Sequence, residues 1–318
     1  MSAAFASDLS PHIADFINLK HTVGVTFRDG ERYLRSFDEY CGRNGINSLT
    51  KFAVEGWICE RARKVASRNN NGASALRSFG QYLQAGIDEN AYVLPYGFGK
   101  KTLRSMPYLF TDNEVSRFFE AASTFTCKSP WRWEAKAFFG LMAACGLRTC
   151  EARRLKCTDI DLSSGFLDVM WSKGPRSRRL YFDDDVARML DTCDKMNNLA
   201  FSGRDNFFVT GEGNQIPDSV PGTVFGRIWD EAGLDRPIGG RQPRPYDFRH
   251  RFAFANIERW TVEGEDVMAK ILFLMRYMGH ASLEGTLYYL HISPAFMAGY
   301  ADQIIDTERV IPEVGFDD

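Results

Sequence analysis

Four stretches of the chain hold side chains whose types and spacing could do chemistry. In ACGLRTCEARRL, Gly146 ends one helical pattern and Thr149 is placed to cap the next, so Arg148 falls in the turn between them with Glu151 close behind. An arginine held at such a junction and backed by an acid can present its planar fork to a phosphate. The plainer alternative is an exposed arginine beside a capped helix. In GFLDVMWSKGPRSRRLYF, Lys173 precedes Gly174 at a turn, where a lysine is either solvated or delivered by its loop to a leaving group or a groove. PYDFRHRFA sets Arg249 and His250 in the first turn of a helix that Pro245 and Asp247 would start, and anions bind at that donor-rich end. MGHASLEGTLYYLH puts His280 in a turn after Gly279 and ahead of two adjacent tyrosines, Tyr288 and Tyr289. Either ring could be packing, or one hydroxyl could be a nucleophile.

Taken in order, Gly-Leu-Arg-x-x-Glu-x-x-x-Leu, a hairpin Lys-Gly, Arg-His, and Gly-His followed nine residues later by Tyr resemble the tyrosine recombinase (phage integrase) family. The resemblance covers about 108–300, and the helical N-terminal part is similar in position and pattern to that family's core-binding domain. It implies that Tyr289 is the nucleophile, that Tyr288 packs, and that His291 is the histidine often found two residues after the nucleophile. It also implies that Arg148 and Arg249 clamp the phosphate, Lys173 is the hairpin lysine and His280 fills the His/Trp position. Glu151 is then the acid supporting the first arginine, and His250 the residue that follows the second. One position departs from the pattern. The family usually has His three residues before the second arginine, and this chain has Tyr246, a phenol that can share one hydrogen bond but is a poor base near neutral pH.

The chemistry implied is transfer of a DNA phosphodiester to a protein hydroxyl. Two guanidiniums can stabilise the charge that builds on the non-bridging oxygens, a lysine can protonate the leaving 5′ oxygen, and the phenol must be deprotonated and in line with phosphorus. The 3′-phosphotyrosyl ester conserves the bond, so rejoining needs no ATP, and no cofactor is expected. The resemblance further implies double-stranded DNA as partner and a homo-oligomer, with a dimer per site and a tetramer in the synapse, or a sister recombinase.

These residues need a scaffold to position them. A chain of 318 residues accommodates two cores, and 25 Phe, 12 Tyr and 6 Trp can fill them. Helical spacing over 10–95, including Tyr33, Leu34, Phe37 and Tyr40 on one stripe before a stop at Asn44-Gly45 and Leu76, Phe79, Tyr82 and Leu83 on another before a stop at Gly86, predicts a unit of roughly four helices. Prolines, glycines and a basic run break the periodicity between 92 and 109. The expected domains are a helical core-binding domain over 1–95, a linker over 96–107 and a catalytic domain with a C-terminal tail over 108–318. In the last, Thr111 and Glu114 form a capping pair, and helices are expected over 131–145, 149–157, 183–198, 222–233, 247–260, 265–278 and 282–290 around one β-hairpin. The fold class is mainly α with a small antiparallel sheet. Beyond the nucleophile, Phe296, Met297, Tyr300 and Ile304 lie at helical spacing, as if to dock on a neighbouring protomer.

Composition narrows the function classes. The net charge is −2, yet positive charge is segregated, with eight Lys or Arg against four acids from Arg148 to Arg179 and five arginines against one acid from Arg236 to Arg251. Seven scattered cysteines with no C-x-x-C pair, and only five histidines, point to reduced thiols and away from a metal centre. Without an apolar run of about 18 residues or a signal peptide, a cytoplasmic protein is expected, with no membrane partner. Three rivals remain: a type IB topoisomerase-like relaxase, a DNA-binding accessory or regulatory protein that has lost catalysis, and a helical scaffold with no DNA role.

Overall fold

The computed structural model describes residues 7–25, 27–64, 71–98, 107–170, 177–280 and 282–290. Lys173, residues 99–106 of the basic stretch, His291 and the tail that follows it lie outside the described residues. The chain divides into two compact units, Met1–Ser105 and Met106–Asp318.

The N-terminal unit contains α1 (Ser10–Thr22), α2 (Arg28–Asn44), α3 (Lys51–Lys64) and α4 (Asn71–Gln84). Both stripes legible in the sequence face inward, and Ile13, Phe16, Leu34, Phe37, Leu76 and Phe79 are buried together. Burying an aliphatic or aromatic side chain of this size stabilises the unit by about 1.5–3 kcal/mol. The Asn44-Gly45 stop is a left-handed cap, with Gly45 at φ 61°. α4 ends two residues before Gly86, where the Leu83 carbonyl accepts the N–H groups of Gly86, Ile87 and Asp88.

In the C-terminal unit the capping pair is observed. The Thr111 hydroxyl accepts the Glu114 N–H at 3.2 Å, the Glu114 carboxylate accepts the Thr111 N–H at 2.7 Å, and α5 (Asp112–Thr124) follows. Next come α6 (Trp131–Cys145), α7 (Thr149–Ala152), a single 3-10 turn, and a sheet of β1 (Ile160–Asp161), β2 (Phe166–Val169) and β3 (Arg178–Tyr181). The sheet order is β1-β2-β3, all antiparallel, with Leu167 opposite both Ile160 and Leu180. It carries one strand more than the expected hairpin, since the two residues of β1 are too few to show an alternation. α8 (Asp184–Ala200), α9 (Val220–Glu231), α10 (Asp247–Val262), α11 (Val267–Met278) and α12 (Glu284–Leu287) complete the unit.

α6 is the central element, buried among α5, α8 and α10. Its Phe138 and Phe139 meet Phe118, Phe225, Trp229 and Phe248 in one aromatic core. A second, smaller cluster joins α10 and α11 through Ile257, Ile271 and Met278, and the Tyr289 ring belongs to it.

Two expected helices are shorter than the sequence suggests. The one at 149–157 stops at Ala152, because the backbone of 155–157 pairs instead with 205–207, the Leu155 carbonyl accepting the Phe207 N–H and the Cys157 N–H donating to the Asp205 carbonyl. The one at 282–290 is helical only over Glu284–Leu287. Nor does Thr149 cap α7. Arg148 is the capping residue, its backbone N–H satisfied by the Glu151 carboxylate at 2.8 Å. Among the described residues no helix is long and apolar enough to cross a membrane.

Candidate active site

Two glycine turns organise the site. Gly146 ends α6 at φ 62° and Gly279 ends α11 at φ 65°, both in the left-handed region that glycine adopts without strain. A Cβ on Gly146 would lie 2.6 Å from the Phe252 ring, and one on Gly279 would lie 2.9 Å from a nitrogen of Arg178. The chain therefore reverses tightly at both places, and each reversal leaves carbonyl groups free for the guanidiniums between them.

Arg249, wholly buried on the first turn of α10, donates from Nη1 to the Gly146 carbonyl at 2.5 Å and from Nη2 to the Met278 carbonyl at 2.6 Å. Arg148 donates from Nη2 to the Gly279 carbonyl at 2.7 Å. Arg249 thus bridges the two turns and Arg148 reaches from the first to the second, so both forks are held by backbone carbonyls. The Nε of Arg249 is buried and has no partner, an uncommon condition for a charged donor.

Glu151 ties the cluster together. Only 3 % of its side chain is exposed, and it accepts from Arg148 Nη1 at 2.6 Å and from the Arg178 fork at 2.8 and 3.0 Å. Arg178 also donates from Nε to the Tyr277 carbonyl at 2.7 Å, which fastens β3 to the end of α11. Burial pushes the Glu151 carboxyl up, but the two arginines and the Arg148 N–H outweigh it and hold it at about 2. Arg178 was counted in the sequence only as part of a basic run. Its signal was the strand alternation, which sets Arg178 on the same inward face as Leu180, whereas Arg179 points outward.

The Tyr289 hydroxyl lies in this enclosure. The residue is 2 % exposed, and its oxygen is 2.9 Å from Nδ1 of His250. The His280 ring lies nearly parallel to it at 6.3 Å, with Nδ1 of His280 2.7 Å from the Thr286 hydroxyl. Tyr246 sits at the start of α10 with its ring 5.0 Å from His250, and the Tyr288 ring is 5.8 Å from that of Tyr289. Of the residues singled out in the sequence, Arg148, Glu151, Tyr246, Arg249, His250, His280 and Tyr289 come together. Lys173 lies outside the described residues.

Burial sets the charge state, modified by the guanidiniums. It pushes the Tyr289 phenol up, with the Arg249 and Arg148 charges opposing. It lowers His250 to about 4, helped by Arg249 and Arg244, and His280 to about 3, helped by Arg249, Arg148 and Arg178. It also lowers Arg249 to about 10, helped by Arg148, which leaves the guanidinium charged at neutral pH. The cluster therefore holds two neutral imidazoles and a neutral phenol beside fixed positive charge. Such a site can bind an anion and stabilise negative charge that develops on it.

Comparison with known proteins places this site in context. Residues 109–295 match the model of the phage integrase family. A putative integrase/recombinase y4rE of Sinorhizobium fredii is 28 % identical over 304 residues, covering 94 % of this chain and 97 % of that protein. The tyrosine recombinase XerC of Oceanobacillus iheyensis is 25 % identical over 293 residues, covering 88 % of this chain and 82 % of its own. Among solved structures, the Tn1549 transposon integrase in complex with transposon right end DNA is similar over 92 % of this chain and 98 % of that one, with a TM-score of 0.68 at 17 % identity. The XerH recombinase bound to its difH substrate is similar over 86 % of this chain and 78 % of that one, with a TM-score of 0.64 at 19 % identity.

Proposed function

Since the chain belongs to the phage integrase family of tyrosine recombinases, we propose that it is a site-specific DNA recombinase that cuts and rejoins strands through a 3′-phosphotyrosyl bond at Tyr289. The observation that carries this reading is the enclosure of one phenol, Tyr289, with the buried guanidinium of Arg249 and that of Arg148, both oriented by backbone carbonyls. The unpartnered Nε of Arg249 is a donor that a phosphate oxygen would satisfy, and the partly exposed guanidinium of Arg148 adds its charge to the same cluster.

In the proposed reaction the phosphodiester enters against the two arginines, and the Tyr289 oxygen attacks phosphorus in line with the departing 5′ oxygen. The guanidiniums stabilise the pentavalent charge, and Glu151 and Arg178 hold Arg148 in place. Lys173 protonates the 5′ oxygen. His280 and Tyr246 flank the phenol, and Tyr246 supplies a hydroxyl where most of the family has an imidazole. A second 5′-hydroxyl then reverses the step, which completes integration, excision or transposition of a mobile element. The N-terminal helical unit is proposed to be the core-binding domain, adding DNA contacts. The assembly is proposed to be a dimer on each site and a tetramer in the synapse, acting in the cytoplasm.

The test is covalent capture. The protein is incubated with a pool of nicked duplexes of randomised sequence, so that the short fragment released by cleavage diffuses away, and adducts are recovered under denaturing conditions. Wild type and Tyr288→Phe should give adducts, and Tyr289→Phe none. An unaltered yield from Tyr289→Phe, or no capture by wild type, would refute the proposal. Relaxation of supercoiled plasmid without sequence preference would point instead to a topoisomerase-like relaxase.

A further inference from the structure

The reaction proposed above requires an acceptor for the Tyr289 proton, and Tyr246, at the position where most of the family has an imidazole, is a poor one. We propose, resting on that reading, that His250 is the base that takes the Tyr289 proton and that Asp247 positions it, so that Asp247, His250 and Tyr289 form a relay. The geometry is directional. Nδ1 of His250 is 2.9 Å from the Tyr289 oxygen, and its other nitrogen, Nε2, faces Oδ1 of Asp247 at 4.0 Å. Asp247 is wholly buried, one helical turn before His250 on α10. Its Oδ2 accepts the Arg244 N–H at 2.9 Å, whereas its Oδ1 is buried without a hydrogen-bond partner, the Arg241 guanidinium standing 3.6 Å from it and Nε2 of His250 4.0 Å.

A buried carboxylate oxygen in that condition costs stability unless it serves a function. With the proton of the neutral imidazole on Nε2, directed at Oδ1, the lone pair of Nδ1 is aimed at the phenol. That is the tautomer a base at this position requires. The 4.0 Å separation is too long for a hydrogen bond and must shorten as the imidazole gains charge, as catalytic contacts often do once substrate is bound.

The step balances. As the Tyr289 oxygen–phosphorus bond forms and the phosphorus–O5′ bond breaks, the phenolic proton passes to Nδ1 of His250, and O5′ takes its proton from the general acid. On rejoining, a 5′-hydroxyl attacks phosphorus, the phenolate leaves, and His250 returns the proton. The groups facing His250 are Tyr246, Tyr289 and His280, the cations Arg249 and Arg244, and the carboxyl of Asp247, which burial pushes up to about 6 and which Arg241 approaches at 3.6 Å. The two cations oppose protonation and Asp247 favours it. A bound phosphodiester adds negative charge on the same side as Asp247, so the base becomes competent when substrate arrives.

The test measures single-turnover cleavage of a captured duplex, with either oxygen or sulfur at the bridging 5′ position of the scissile phosphate. A thiolate leaves without a proton, so sulfur bypasses the general acid but not the base. His250→Gln keeps an acceptor near the phenol but cannot take up its proton. It should bind the duplex with unchanged affinity and cleave about 10²–10³-fold more slowly on both substrates, whereas Lys173→Ala should recover with sulfur. Asp247→Asn should cleave more slowly than wild type, and the acid limb of its pH–rate profile should move to lower pH, because burial pushes the Asp247 carboxyl up to about 6 and the amide that replaces it does not titrate there. His250→Gln cleaving at the wild-type rate, or recovering with sulfur, would overturn the assignment of the base. An acid limb unmoved in Asp247→Asn would overturn the positioning role. Absence of any adduct with wild type would remove the underlying recombinase reading and this proposal with it.

Discussion

Glu151→Gln is the substitution that most sharply tests how the arginines are held. The carboxylate receives four N–H groups, from the Arg148 backbone at 2.8 Å, Arg148 Nη1 at 2.6 Å, and the Arg178 fork at 2.8 and 3.0 Å. A carboxyl held at about 2 instead of 4.5 contributes about 3 kcal/mol at neutral pH, at about 1.4 kcal/mol for each pH unit. Removing one partner of a buried ion pair costs about 3–5 kcal/mol by general experience, so the two figures agree. In a domain of this size, 3 kcal/mol lowers the melting temperature by about 6–12 °C. The pH dependence follows from a depressed carboxyl. The stabilisation is fully present above the unfolded value near 4.5 and is lost as pH falls toward about 2. Scanning calorimetry of the full chain should therefore show a constant gap between wild type and variant from neutral pH down to about 5, closing below about 4.5. A variant that melts with wild type at neutral pH, or a gap that persists unchanged into strong acid, would show that the ionised Glu151 carboxylate does not hold the two arginines.

Gly146→Ala should destabilise the C-terminal unit by about 2–4 kcal/mol, from left-handed backbone strain together with overpacking against Phe252, read as a lower denaturant midpoint. An unchanged midpoint would mean that the turn is less constrained than its geometry. Inorganic phosphate should raise the melting temperature, and Arg148→Ala should remove most of the rise, because one of the two oriented forks is lost. An equal rise in the variant at matched ionic strength would place the anion elsewhere.

What the sequence disclosed depended on how local the physics was. The capping box at Thr111 and Glu114, the glycine stops at 45, 146 and 279, and the inward stripes of α2 and α4 were all legible, because each depends on residues within a few positions of one another. The meeting of Arg148, Arg249, His280 and Tyr289 could be anticipated only through resemblance, since no spacing rule brings 148, 249 and 289 together. What escaped was governed by distant partners. α7 is cut short because the backbone that would extend it pairs with Asp205, Asn206 and Phe207, far along the chain. Arg178 matters because strand register aims it at Glu151. Asp247 looked like a helix initiator, and only its burial, the oxygen without a hydrogen bond and the facing imidazole give it a further role. Arg148 displaced Thr149 as the capping residue because Glu151 supplies the acceptor from inside the helix.

In the proposed reaction one particular oxygen, that of Tyr289, becomes bonded to DNA. Protease digestion of the captured adduct, nuclease trimming and mass spectrometry would locate the nucleotide on the polypeptide. A single modified peptide is expected, with the added mass on Tyr289. The same mass on Tyr288 or on any other residue would contradict that assignment.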